Sequence, residues 1–199
     1  MNFAIIAQQL VSGMGSSLMI FVLTLLFSMP LGLLVAFGRM SKIKPLQAVI
    51  KVFIAILRGT PLMLQLLVVN FAPYYLFRIS LPRWYRFAAI IIGFSINYAA
   101  YFAEIYRSGI ESIHKGQYEA ASVLGYNKNQ TFFRIIFPQM VKRVLPPVTN
   151  EVITLVKDTS LAFVLAYEEM FTVAKQIASA RTSIMPLFVA GVFYFIFNA

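Results

Sequence analysis

From Met1 to Gly38 the chain carries no charged residue. Within that stretch, SLMIFVLTLLFSMPLGLLVAF (ending at Phe37) supplies the roughly 20 apolar residues that a bilayer-crossing helix needs. A cleaved signal peptide would open on a basic segment and hold a shorter apolar core, so the stretch reads as a membrane span. Pro30 is compatible with that reading, because neighbouring groups in a helix bundle can take up the carbonyl it frees. The rest of the chain agrees. Of its 199 residues 60% are hydrophobic and 12% charged, whereas a soluble domain carries about 25% charged residues.

Four further apolar segments follow, at about Thr60–Phe77, Phe87–Tyr106, Val144–Tyr167 and from Ile184 to Ala199. The fourth span of the five is interrupted by Glu151, Lys157 and Asp158. The last reaches only about 24 Å, which predicts that the sequence stops inside its final span. The expected architecture is an all-α integral membrane protein of five transmembrane helices, forming one domain over residues 1–199. No internal repeat or low-complexity tract divides it.

The net charge is +10, from 17 Lys and Arg against 7 Asp and Glu. In a soluble protein this would suggest nucleic acid. Here the bases lie between apolar runs, so they read as a topology signal, with no nucleic-acid partner. Eleven fall in the first and third connections, five in the other two, and Lys157 inside a span. The positive-inside rule then puts the N-terminus outside and the 107–143 connection in the cytoplasm. Arg78, Arg83 and Arg86 form an outer cluster that runs against the rule. Trp84 and Tyr85 beside them suit an interfacial aromatic belt.

The long cytoplasmic connection holds QYEAASVLG. Gln117–Leu124 has good helix formers, with Gly116 before it and Gly125 placed to close it. A second short helix is expected from about Lys128 to Phe137, stopped by Pro138. Two helices meeting at a glycine would form a rigid bracket; an ordered loop without a partner is the plainer alternative.

Glu119-Ala120-Ala121, Gly125, nine residues, then Ile135-x-Phe137-Pro138 resembles the EAA signature of permease subunits of bacterial ABC importers. Phe137 stands where the family usually has Leu. RGTPLMLQL (from Arg58), NYAAYFAEIYRSGIESI (from Asn97), FPQ (from Phe137) and LPPVTNEVITLVKDTSLA (from Leu145) resemble the polar amino-acid branch of that family, the histidine/glutamine/arginine type. The resemblance covers most of the chain from about residue 12. It implies a type I permease fold in the bacterial cytoplasmic membrane. It implies a coupling helix, made by Glu119, Ala120, Ala121 and Gly125, that docks on a cytosolic ATPase. It further implies a second permease copy, identical or related, and an extracytoplasmic substrate-binding protein. The chain has no G-x-x-x-x-G-K-[ST] loop to cradle a nucleotide, so it is not expected to be an enzyme. ATP and Mg would be used by the partner ATPase.

Ionisable groups inside a span cost about 2.5–3.5 kcal/mol on insertion scales, so each needs a reason. Asn97, Tyr101, Glu104 and Ser108 share one helical face; Glu151, Thr154 and Asp158 share another. Glu104, Asp158, Asn97, Tyr101 and Thr154 are the candidate substrate pathway, with the acids facing an ammonium. Alternatively, Glu104 is an interfacial acid neutralised by Arg107, and recognition is left to the binding protein. Glu151 reads as structural, near a helix start after Pro146-Pro147. His114 is the only histidine and there are no cysteines, so no metal site is expected. The rival from another class is an ion-gradient-driven transporter or channel, with Glu104, Lys157 and Asp158 as a proton or ion relay.

Overall fold

A computed structural model describes residues 3–199. Its regular structure is entirely helical: α1 (Phe3–Arg39), α2 (Lys44–Gly59), α3 (Leu62–Phe77), α4 (Tyr85–Glu111), α5 (Lys115–Val123), α6 (Lys128–Thr131), α7 (Phe137–Asp158), α8 (Met170–Arg181) and α9 (Met185–Asn198). A π turn at Phe132–Ile136 joins α6 to α7, and a 3₁₀ helix at Thr159–Leu165 follows α7.

The apolar run at the N-terminus forms one helix of 37 residues, with Pro30 inside it. Along α1 the buried positions are Ile6, Leu10, Gly13, Ser17, Ile20, Thr24, Ser28, Gly32 and Ala36. They recur every three or four residues, one continuous helical seam. Lipid is as apolar as leucine, so membrane helices associate through close backbone packing rather than through expulsion of water. The small residues in the seam serve that purpose. At Gly32 an added Cβ would lie 2.8 Å from the Cβ of Phe102 and 3.1 Å from the carbonyl oxygen of Ala99. On the α4 side Ala99, Ala100 and Ala103 are fully buried. Around this pairing Ile20, Leu66, Ile90, Phe94, Tyr98, Phe102 and Leu155 form the main core. A second core joins the start of α1 to α8 and α9 through Ile6, Leu10, Met170, Ala174, Val189 and Ala190.

By length and apolarity two helices, α1 and α4, are able to cross a membrane, and α2 with α3, bent by 111° at their break, make a third if the pair is one broken span. α9 (Met185–Asn198) falls where the fifth span is expected, as a shorter apolar helix of 14 residues, whereas the fourth differs from its sequence reading. α7 begins at Phe137 and carries Pro146 and Pro147 in its interior, so Glu151 lies well inside the helix rather than at its start. Nor does Pro138 stop a helix. Lacking an N–H, it sits in the first turn of α7, where none is needed. The chain reaches it through the π turn, in which the Phe137 N–H donates to Phe132 O. The helix of the fourth span ends at Asp158, tightens to 3₁₀, and closes on Ala166 at φ 50°. Neither α2, which occupies the first expected connection, nor α8 has a counterpart among the expected segments.

Candidate functional site

The bracket is built from two local devices. At the end of α5 Gly125 has φ 76°, a conformation open to glycine at no steric cost. The Tyr126 N–H donates to Ala121 O and the Gly125 N–H to Ser122 O, both at 3.0 Å; these are the paired bonds of a Schellman motif. Two residues on, Asn127 and Gln130 form a reciprocal capping box at the start of α6. At the other end of α5 His114 Nδ1 accepts from the Gly116 N–H at 3.1 Å. The bracket is tied to the membrane helices: Gln139 Nε2 donates to Gln117 Oε1 at 2.7 Å, and Arg143 donates to Ser112 O.

Glu119 and Ala120 are exposed on α5, while Ala121 is buried. Beside them Val123 and Leu124 are 87% and 73% exposed. Apolar side chains grouped on a rigid polar loop mark a contact surface.

Further along α4 lies a polar cleft of about 440 Å³, lined among others by Arg58, Tyr101, Glu104, Arg107, Arg143 and Glu151. Two of the sequence-predicted pathway residues, Tyr101 and Glu104, meet here. Glu104 is already paired: Arg107 Nη2 reaches its Oε2 at 2.6 Å, and Arg39 from the end of α1 lies 3.9 Å from Oε1. Arg58 lies 5.1 Å above the Tyr101 ring, within cation–π range. Glu151 enters the cleft because α7 runs unbroken through its prolines. The cleft thus presents a guanidinium and carboxylates together, chemistry that complements both ends of a zwitterion.

Three other predicted residues lie elsewhere. Asn97 is buried and donates through Nδ2 to Leu57 O at 3.1 Å and Gln65 Oε1 at 2.9 Å. Gln65 in turn donates to Leu57 O and to Thr60 O and Oγ1. These two amides satisfy the carbonyls released where α2 breaks from α3, and they hold Arg58 beside the break. Replacing Asn97 by leucine should therefore cost about 1–2 kcal/mol. The expected result is a fall of a few degrees in the Tm of the purified protein, roughly 2–4 °C per kcal/mol. A Gln65→Leu/Asn97→Leu double variant should lose less than the sum, since both amides act on one carbonyl. An unchanged Tm would show that the break is held otherwise. Asp158 Oδ2 accepts from Tyr98 OH at 2.8 Å, and Thr154 Oγ1 donates to Asn150 O.

Residues 28–199 match the family of binding-protein-dependent transport system inner membrane components. The chain belongs to this family. It is 37% identical to the L-cystine transport system permease protein TcyB of Bacillus subtilis, over 87% of this chain and 73% of that one. It is 31% identical to the arginine transport system permease protein ArtQ of the same organism, over 94% and 84%. The crystal structure of an amino acid ABC transporter with histidines superposes with a TM-score of 0.88 at 30% identity, covering 100% of this chain and 92% of that one. A chain of the inward-facing MetNI methionine ABC transporter shares the fold at 15% identity and a TM-score of 0.72. The protein is thus a membrane-embedded permease subunit of an importer. This favours the importer reading over the gradient-driven alternative.

Arg58, Glu151 and Arg143 were not among the predicted pathway residues. Arg58 was legible in the RGTP stretch as a base directly before a Gly-Thr-Pro breaker. Glu151 was obscured by the proline pair.

Proposed function

We propose that this chain is the permease half of an ATP-driven importer of a polar amino acid, with five spans and its N-terminus outside. The relatives named above are permeases for L-cystine and arginine, which supports an amino acid as cargo. α5 and its bracket dock on a cytosolic ATPase through Glu119, Ala120 and the exposed Val123 and Leu124, with Ala121 and Gly125 shaping the helix. The observation that carries the reading is the construction of that bracket. Both ends of α5 and the start of α6 are capped, α6 runs on into α7 through the π turn, and Gln117 is bonded to Gln139 of α7, so movement of the ATPase passes to the spans as a rigid-body displacement. Two permease copies enclose the path, an extracytoplasmic binding protein delivers cargo, and ATP with Mg is used by the ATPase alone.

Within the membrane the proposed path uses Tyr101 and Glu104 in the polar cleft, with Arg58 and Glu151 opposite. Asn97, Thr154 and Asp158 belong to the same two helices and extend the path beyond the cleft. Uptake of a panel of labelled amino acids into proteoliposomes holding the full assembly identifies the cargo. Glu104→Gln leaves Arg39 without its anion and Arg107 with Glu111 alone, so it should lower uptake at least about tenfold while the ATPase still turns over. Asp158→Asn keeps the Tyr98 hydrogen bond and should cost less. Wild-type uptake in both variants would remove the acids from the path.

A further inference from the structure

At the opposite end of α4 from the bracket, a cleft of about 330 Å³ is lined by Asn70, Phe71, Tyr74, Tyr75, Arg83 and Arg86, among others. Its wall is fixed. Tyr85 OH donates to Val69 O at 2.9 Å, holding α3 to α4, and Arg86 Nη1 donates to Ala166 O at 3.3 Å. Among the described residues neither Arg83 nor Arg86 has a carboxylate within 4.0 Å. No acid stands in the first turn of α4, where the helix dipole favours anions and opposes arginines. The positive charge here is therefore left uncompensated by the protein.

What surrounds the arginines is apolar. Tyr75, Leu76, Phe77 and Trp84 are each about 70% exposed, and Ile79 about half. Such side chains around a loop between two spans belong at the headgroup level of a bilayer, with aromatic rings at the boundary. Two guanidiniums, an amide and aromatic walls at that depth match a phosphodiester whose acyl chains lie along Phe71 and Tyr74.

We propose that Arg83 and Arg86 form a site for the headgroup phosphate of a membrane phospholipid, with anionic lipid preferred. This rests on the chain being a membrane subunit but not on its cargo, so the test requires no transport. The purified assembly would be presented with phosphatidylglycerol or phosphatidylcholine micelles, and retained lipid counted by native mass spectrometry. Wild type should retain phosphatidylglycerol in preference to phosphatidylcholine. Arg83→Ala/Arg86→Ala should lose at least about tenfold of that retention, since two charge-assisted contacts go. Arg83→Lys/Arg86→Lys should lose part of it, because a point charge cannot grip the phosphate in a fork. Arg78→Ala, in the same loop but outside the cleft, should behave as wild type.

Equal retention by the alanine and wild-type proteins would overturn the proposal. So would displacement of the lipid by millimolar inorganic phosphate, which would make this a site for the free anion. Unchanged lipid with lost stimulation by the binding protein would assign the arginines to an acidic protein surface instead.

Discussion

Replacing Leu124 by aspartate is expected to weaken binding of the ATPase to the assembled membrane subunits by at least about a hundredfold, and uptake with it. Leu124 is 73% exposed at the end of α5, so the permease itself should hardly notice. The acid at a helix C-terminus costs it less than about 1 kcal/mol. Docking changes the balance. An apolar side chain seated in a groove on the ATPase would become an unpaired carboxylate taken out of water, at a cost of at least about 3 kcal/mol. Every 1.4 kcal/mol is about tenfold in affinity, so the docking term decides. The check is titration of purified ATPase onto the membrane assembly in nanodiscs, alongside a thermal melt of the variant. An unaltered dissociation constant would mean that the bracket does not carry the contact.

Glu169→Leu should have the largest effect on stability. Glu169 is fully buried and caps α8. Its Oε2 accepts from the Phe171 N–H at 2.7 Å, and its Oε1 from the Thr172 N–H at 2.6 Å and Thr172 Oγ1 at 2.8 Å. Ser17 from α1 and Tyr194 from α9 reach the same carboxylate at 3.4 Å. The contact between α1 and α8 is tight enough that a Cβ on Gly13 would lie 2.9 Å from Met170 Cα. Leucine would leave two backbone donors and the hydroxyls of Thr172, Ser17 and Tyr194 without this acceptor, at about 1–3 kcal/mol for each donor left unsatisfied. A total of roughly 3–5 kcal/mol corresponds to a Tm lower by about 10 °C or more. Glu169→Gln keeps one acceptor oxygen and should lose about a third of that. A leucine variant melting within 2–3 °C of wild type would show that the second core, not the carboxylate, holds α8 in place.

Much of this was legible in the sequence, for identifiable reasons. α1 and α4 follow from unbroken apolar runs, and α5 from its helix formers and Gly125, whose φ of 76° is what a closing glycine supplies. Prolines misled in α7. Pro138 and the Pro146-Pro147 pair have the look of breakers, but Pro138 occupies a first turn, and both interior prolines are exposed, where their rings meet little packing. That single difference moved Glu151 from a helix start to the wall of the cleft. Asn97 was read from its helical face alone. Its partner, Gln65, is 32 residues away and comes to it because α2 and α3 bend by 111° at Thr60-Pro61. Nothing in local periodicity shows a bend of that size. α8, short and mixed in character, carries no span signal; it is defined by the buried carboxylate at its start.

On the proposed function, an external ATPase drives this chain through the bracket. The most direct measurement is the initial rate of amino-acid uptake into proteoliposomes holding the complete assembly. ATP would be trapped inside one set, and an ion gradient alone imposed on the other. Uptake is expected with ATP and not with the gradient, and the ATP-driven rate should be lost in Leu124→Asp. Uptake driven by the gradient without ATP would contradict it.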